Sequence, residues 1–308
     1  MHWKVKAAAQ SVCATLPFGG RLYRGVQSLL GNSSRVDLAR KLAFHHKACR
    51  LMIEHGFRPR GATVVEVGTG WLPLDAIGFW IGGASRVVTL DLNRQLDWGQ
   101  LGDTLTWMSE RPDELVKAWS GLATESDVRE RHASIVRLRQ RPQAFLEEAG
   151  IEYRAPSDAA ETGLPDGSAD AHFSYNVFEH VPPPVLDRLL VEARRILKPD
   201  GVGLHYVDPS DHFAHFDPSI TRVNFLRFDP GEWDRLAGNR FAYHNRLRDP
   251  DYRALFEHNG MRVDFARYDV EPRSLAALRS GLPLAASWRG GDPEELARHN
   301  LVYIASPA

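Results

Sequence analysis

Two hydrophobic periods alternate along the chain. Short β-branched or apolar runs at Val64–Val67, Arg86–Asp91, Ile151–Ala155, Ala171–Tyr175, Val202–Val207, Met261–Val270 and Leu301–Ala305 read as strands, seven in all. Between them the apolar positions recur at helical spacing. MHWKVKAAAQSVCATL predicts a first helix. After the PFGG break, Leu22, Val26, Leu29 and Leu30 predict a second, and after GNSS, Val36 to His55 predicts a third, with Leu38, Leu42, Ala43, Leu51 and Met52 on one side. Further helices are expected over Val185–Leu197, with KPDG turning into the next strand, over Asp249–Asn259, capped by Asp249 and ended by Gly260, and over most of Ser274–Arg298. The connection from Asn93 to about Gly150 is the odd one. It is too long for a bare loop inside a domain and lacks strand character. Leu101, Leu105, Met108, Leu115, Trp119, Val128, Ile135, Val136, Leu138, Phe145 and Leu146 predict two or three packed helices there.

Strand–helix alternation implies an α/β fold with a mostly parallel sheet covered on both faces. The polar residues then locate the chemistry. VVEVGTGWLPLDAI, Val64 to Ile77, reads as buried strand, tight turn and helix, which makes a ligand seat: Gly68 and Gly70 let backbone approach a bound molecule, and helix N–H groups favour an anionic group. A dinucleotide turn needs a third glycine where this chain has Pro73. Glu66 inside the turn and Asp91 closing the next strand suggest a ligand with an amino group and a ribose diol.

Further on, SYNVFEHV emerges from a strand end. On helical turns Asn176, Glu179 and His180 can face one cavity. His180 is a candidate general base, or with Glu179 a weak metal pair; a local ion pair and a packed histidine are the bland alternatives. HYVDPSDHFAHFDPS carries the densest polar cluster. Asp208 closes a strand, and His212 and His215 follow one helical turn apart, able to place a hydroxyl, to act as base through Asp208 or Asp211, or to complete a metal site; a surface-packed stripe is the competing reading. Asn224, Trp233, Tyr243, His244, Asn245 and Arg246 then mix aromatic walls with hydrogen-bonding groups, as a small-molecule pocket does.

Four ordered segments, VVEVGTG, TLDLN, SDAAETGLPDGSADAHFSYNVFEHVPPP and RILKPDGVGLHYV, resemble successive motifs of class I S-adenosylmethionine-dependent methyltransferases over roughly Thr63 to Val207. The likeness is to the methyltransferase-11 type and to uncharacterised bacterial members associated with glycan or natural-product clusters. It implies a Rossmann-like, seven-stranded, mostly parallel sheet, with an N-terminal helical cap (1–60), a methyltransferase domain (61–308), a helical insertion (94–150) and a substrate-side segment (208–260). It also implies S-adenosylmethionine contacts at Glu66, Gly68, Thr69, Gly70, Asp91, Leu92, Asp158, Ala159 and Asn176. Read from residues alone, Asp158 is a turn or helix cap. Two features depart from the family: Leu72 stands where its turn often has a third glycine, and the insertion is long. NVFEH is similar to the ExxEH metal pattern of small-RNA 2′-hydroxyl methyltransferases, but it lacks the first carboxylate, which disfavours a divalent metal.

The expected activity is methyl transfer to a hydroxyl or amine of a small molecule, such as a sugar or natural-product intermediate. The rivals are a metal-assisted 2′-hydroxyl RNA methyltransferase, a non-catalytic S-adenosylmethionine-binding partner subunit and an NAD-dependent sugar-modifying enzyme. The last would show GxGxxG and a YxxxK pair, and no tyrosine here has lysine four residues later. Composition narrows this. The 308 residues are 43% hydrophobic and 25% charged with formal net charge −1, giving no general basic face for nucleic acid. The basic run Arg129–Arg141 reads as a solvated helix face before it reads as a partner surface. Two cysteines without CxxC fit a reducing, cytoplasmic setting, and no apolar run is long enough to span a membrane. A monomer or homodimer is expected.

Overall fold

The computed structural model describes residues 2–15, 38–239 and 243–308; the helix expected around Leu22 to Leu30 lies outside the described residues. Seven strands form one sheet in the order β3-β2-β1-β4-β5-β7-β6, where β1 is Thr63–Val67, β2 Arg86–Leu90, β3 Ile151–Arg154, β4 Ala169–Tyr175, β5 Leu197–Val207, β6 Met261–Val270 and β7 Arg298–Pro307. Strands β1 to β5 run parallel, and β7 inserts antiparallel between β5 and β6. The chain leaves β1 toward β2 on one side and returns as β4 on the other. The order therefore reverses between β1 and β4, the point where open α/β sheets leave a crevice at their carboxyl edge.

Both faces of the sheet are buried. Val64, Val87, Phe173 and Leu204 pack with the helices Leu38–Glu54 and Leu74–Gly82, while Val65, Val67, Val88 and Val207 pack with Pro183–Ile196 and Asp249–His258. The insertion joins the first of these cores through Leu101, Leu105, Met108, Leu115, Trp119, Val128, Ile135, Leu138, Phe145 and Leu146. It forms four helices, not two or three: Trp98–Ser109, Pro112–Ala118, Glu125–Leu138 and Pro142–Glu148. Pro112 and Pro142 start new helices because proline lacks the N–H that a continuing helix needs, and Asp97 and Thr124 cap two others. Val136, expected in the packed set, stays largely exposed.

The two described N-terminal helices go to different places. Leu38–Glu54 lies on the sheet. Trp3–Thr15 instead joins a third core with Phe213, Val223, Phe225, Leu226, Trp233 and Leu278, and the Asp217 carboxylate accepts from the Trp3 N–H at 2.8 Å. Three other expectations change. KPDG is not a turn before β5 but its first part, since the strand starts at Leu197 directly from the helix. Ser274–Arg298 is helical only in pieces, Pro272–Arg279 and Pro293–Leu296, with a 3-10 turn at Ala286–Trp288. Asp249 does not cap its helix: its buried carboxylate accepts from Arg298 (2.7 Å), Arg253 (3.0 Å) and the Tyr303 hydroxyl (2.7 Å). Asp251 accepts from the Arg248 N–H in its stead. No helix among the described residues is long and apolar enough to cross a membrane.

Candidate functional site

The glycine turn sits at the sheet's reversal point. Gly68 donates to the Leu90 carbonyl at 2.8 Å, and Gly70 N–H to Asp91 Oδ2 at 2.9 Å, while Asp91 Oδ1 accepts from Asn93 N–H at 2.9 Å. Asp91 thereby ties the turns after β1 and β2 together. Gly70 has φ 63 and open space beside it, as a ligand seat requires. Gly68 meets a second constraint: with φ 90, a Cβ there would strike the Val177 side chain at the neighbouring strand end. Leu92 is 70% and Trp71 44% exposed on this rim. Asp158 is exposed and accepts from Ala160 N–H at 2.9 Å, a turn bond, with Ala159 half-buried behind it.

Beneath the turn lies a buried polar group. The Thr69 and Thr89 hydroxyls are 2.6 Å apart. Glu66 is buried, its Oε2 makes no hydrogen bond, and burial reinforced by the nearby Asp75 carboxylate raises its pKa to about 8. His45, from helix Leu38–Glu54, sets Nδ1 2.9 Å from Asp75 Oδ1 and Nε2 3.1 Å from Cys49 Sγ. Burial alone would lower its pKa, yet Cys49 and Asp75 raise it to about 10. None of His45, Asp75 and Cys49 was expected here. The signal was present, because His45 falls on the helix face shared by Leu42, Cys49 and Met52.

The second half of the site grows from the ends of β4 and β5. Asn176 takes a left-handed conformation (φ 54), and Phe178–His180 is a single 3-10 turn. Asn176, Glu179 and His180 therefore do not share one helical face: Glu179 is buried and His180 is exposed. Glu179 Oε1 accepts from the Asp208 N–H at 3.3 Å, and burial raises its pKa to about 8. The Glu179–His180 metal pair is thus divided between interior and surface.

Asp208, at the end of β5, has Oδ2 3.7 Å from both His212 Nε2 and His215 Nε2. Asp208 Oδ1 accepts from Ser210 N–H at 3.2 Å, which holds the carboxylate in place. Burial and the neighbouring His180 and His215 push His212 down to about 3; loss of solvation around the ring also lowers His215 and His180. Asp211 turns inward, accepting from Phe213 N–H (2.9 Å) and Asn224 (3.1 Å), so it does not serve the histidines.

The expected pocket residues separate. Tyr243 reaches the site through its carbonyl, 3.1 Å from His180 Nδ1. Asn245 is spent on the fold, donating to the carbonyls of Phe178 (2.7 Å) and Val181 (3.0 Å) and accepting from the Tyr252 hydroxyl (3.0 Å). Arg246 donates to the Phe225 and Phe228 carbonyls beside Trp288, and Trp233 is in the third core. His244, expected as a pocket residue, joins the histidine cluster: its ring lies 4.7 Å from that of His180 and 4.0 Å from that of His212. A cavity of about 610 Å³ lined by Arg60, Trp80, Arg131 and Glu148 lies at the opposite edge of the strands and touches none of this. In the basic run, Arg129 pairs with Glu125 and Asp113 and Arg137 with Glu148.

Residues 113–204 match the family model of a methyltransferase domain. No curated protein matches the chain. Similar solved structures include a Galdieria sulphuraria protein described as a sarcosine dimethylglycine methyltransferase (14% identity, 85% of this chain and 84% of that one, TM-score 0.49). Others are Burkholderia thailandensis 1,6-didemethyltoxoflavin-N1-methyltransferase (14%, 96% and 92%, 0.46) and Streptomyces coelicolor geranyl diphosphate C-methyltransferase (14%, 84% and 77%, 0.44). Likeness at this level carries no weight for the acceptor.

Proposed function

We propose that this chain, which carries a methyltransferase domain on a seven-stranded α/β sheet, moves a methyl group from S-adenosylmethionine to a hydroxyl or amine of a small molecule. The observation that carries the reading is Asp208 with His212 and His215 at the carboxyl edge of β5, on the same edge of the sheet as the glycine turn.

The cofactor fits the seat by two observations. Gly70 leaves open space above the turn. Glu66 Oε2 is buried without a hydrogen-bond partner, and an α-ammonium group would supply a donor for it. Glu66, Gly68, Thr69, Gly70 and Asp91 would hold it, with Leu92, Asp158, Ala159 and the exposed Asn176 at the rim. When bound it supplies an electrophilic sulfonium methyl.

The protein's own work is to place the acceptor and receive its proton. His215 is the more exposed of the two rings beside Asp208, with a side chain 39% exposed against 26% for His212. It takes the proton of an acceptor hydroxyl, and Asp208 stabilises the imidazolium that forms. An amine acceptor needs only to arrive neutral, so this pair favours oxygen. A sugar or natural-product intermediate offers such a hydroxyl.

The test is transfer of tritiated methyl to a panel of hydroxylated small molecules and sugar nucleotides. His215→Ala and Asp208→Asn are expected to lower turnover about a hundredfold, with affinity for S-adenosylhomocysteine retained. Unchanged turnover in both variants would remove this pair from the reaction.

A further inference from the structure

Three separate segments bring three histidines to one point. His180 ends the turn after β4, His212 opens the short 3-10 helix His212–His215 after β5, and His244 sits on the strand-less stretch leading to helix Asp249–His258. Their ring centroids are 5.2, 4.7 and 4.0 Å apart, and one ligand atom from each lies within 4.8 Å of the other two. We infer that His180, His212 and His244 are the protein ligands of a divalent transition-metal site, with Zn²⁺ or a metal of similar preference as occupant and one coordination position left open.

Distance supports this first. Donors sharing a tetrahedral metal at about 2.1 Å stand about 3.4 Å apart, so the three nitrogens need to close by roughly an ångström, a side-chain rotation and not a backbone rearrangement. Orientation supports it second. The Nδ1–H of His180 donates to the Tyr243 carbonyl, an outer bond of the kind that fixes the tautomer of ligating histidines and leaves Nε2 with its lone pair. His212 Nε2 is shielded from solvent and makes no hydrogen bond; the nearest carboxylate oxygen, Asp208 Oδ2, is 3.7 Å away, too far to accept one and close to the spacing of two groups around one cation. The donor chemistry is the third support. An all-imidazole set selects Zn²⁺, Co²⁺, Ni²⁺ or Cu²⁺ over Mg²⁺ or Ca²⁺, which take oxygen ligands. Asp208 stays in the outer ring and offsets the added charge. Glu179 is not part of the set, since its carboxylate is turned under the Asp208 backbone.

What the cation does rests on the methyl-transfer reading: its open position takes an acceptor oxygen and lowers its proton affinity, leaving His215 to receive the proton. That it binds does not rest on that reading. The experiment is titration of the chelator-treated full chain with Co²⁺, followed by visible d–d absorption and equilibrium dialysis, with S-adenosylhomocysteine affinity measured in parallel. One equivalent of Co²⁺ is expected, bound more weakly by His212→Ala, His244→Ala and His180→Ala, each by more than the roughly 10- to 100-fold that loss of an outer-shell partner costs. His258→Ala, on the exposed end of another helix, should bind as wild type. No uptake by the wild type, or equal uptake by the three variants, overturns the site. Should Co²⁺ be ignored while S-adenosylhomocysteine binds, the metal site falls and the methyl-transfer reading stands. Co²⁺ bound through these histidines while S-adenosylhomocysteine is ignored upholds the site and removes the reading.

Discussion

Glu66 shows how one residue can report on a ligand. Its carboxyl is buried, one oxygen has no hydrogen-bond partner, and burial with the nearby Asp75 carboxylate raises its pKa to about 8. At pH 7 the free protein therefore favours the protonated carboxyl. A cationic amino group placed beside it favours the ionised form, so binding expels the proton. Calorimetric titration with S-adenosylhomocysteine at pH 7, in buffers of differing ionisation enthalpy, should show up to about one proton released, and Glu66→Gln should abolish the dependence. An enthalpy independent of buffer would place the ammonium group elsewhere. The sign for stability runs the same way: because the folded pKa is raised, ionising Glu66 costs stability, beginning above pH 4.5 and complete above about 8.

Residue identities at this scale were partly legible. Glu66, Asp91, Asp208, His212 and His215 stand out because acids and histidines follow strand ends. Their assignments to cofactor or chemistry remain part of the proposal. The inward turns of Asn245, Arg246 and Trp233 were not legible, because a polar or aromatic residue on a loop reads the same whether it faces a ligand or a neighbouring backbone. His244 reads from the sequence as a pocket residue, but not as a neighbour of His180 and His212, because it lies on a stretch with no periodicity to say which way it points.

Among the elements, the sheet was the most readable part, since β-branched runs on strands buried on both faces leave little ambiguity. Boundaries failed where chemistry and length disagreed. KPDG has turn composition, yet it continues β5 at an end where strand pairing with β4 shifts register between Ala169 and Ala171. The insertion held its own punctuation in Pro112, Thr124 and Pro142, which periodicity alone passes over. The contact that matters most for the seat joins helix Leu38–Glu54 to helix Leu74–Gly82. It is made by His45 against Gly78, where a Cβ would run into the imidazole. Trp119 adds a bond from the insertion, its Nε1 donating to the Gly78 carbonyl at 3.0 Å. Gly78→Ala is expected to lower unfolding stability by about 1–3 kcal/mol, read from urea denaturation. A stability equal to wild type would mean that the His45 ring has room to shift, and that this helix pair is looser than the packing implies.

For the molecule as a whole, the strand order reverses at β1 and β4, and the residues singled out for cofactor and for chemistry gather on that carboxyl edge. The formal net charge is −1, and Arg129 and Arg137 of the basic run are paired with acids. The central claim is that the turn from Gly68 to Gly70, tied to Asp91, seats a sulfonium nucleoside and not a dinucleotide. Direct calorimetry with S-adenosylhomocysteine and with NAD on wild type and Asp91→Ala tests it. The account predicts saturable binding of S-adenosylhomocysteine, weakened about 10- to 100-fold when Asp91 no longer holds Gly70 and Asn93, and no heat from NAD. Tight uptake of NAD with S-adenosylhomocysteine ignored would contradict it.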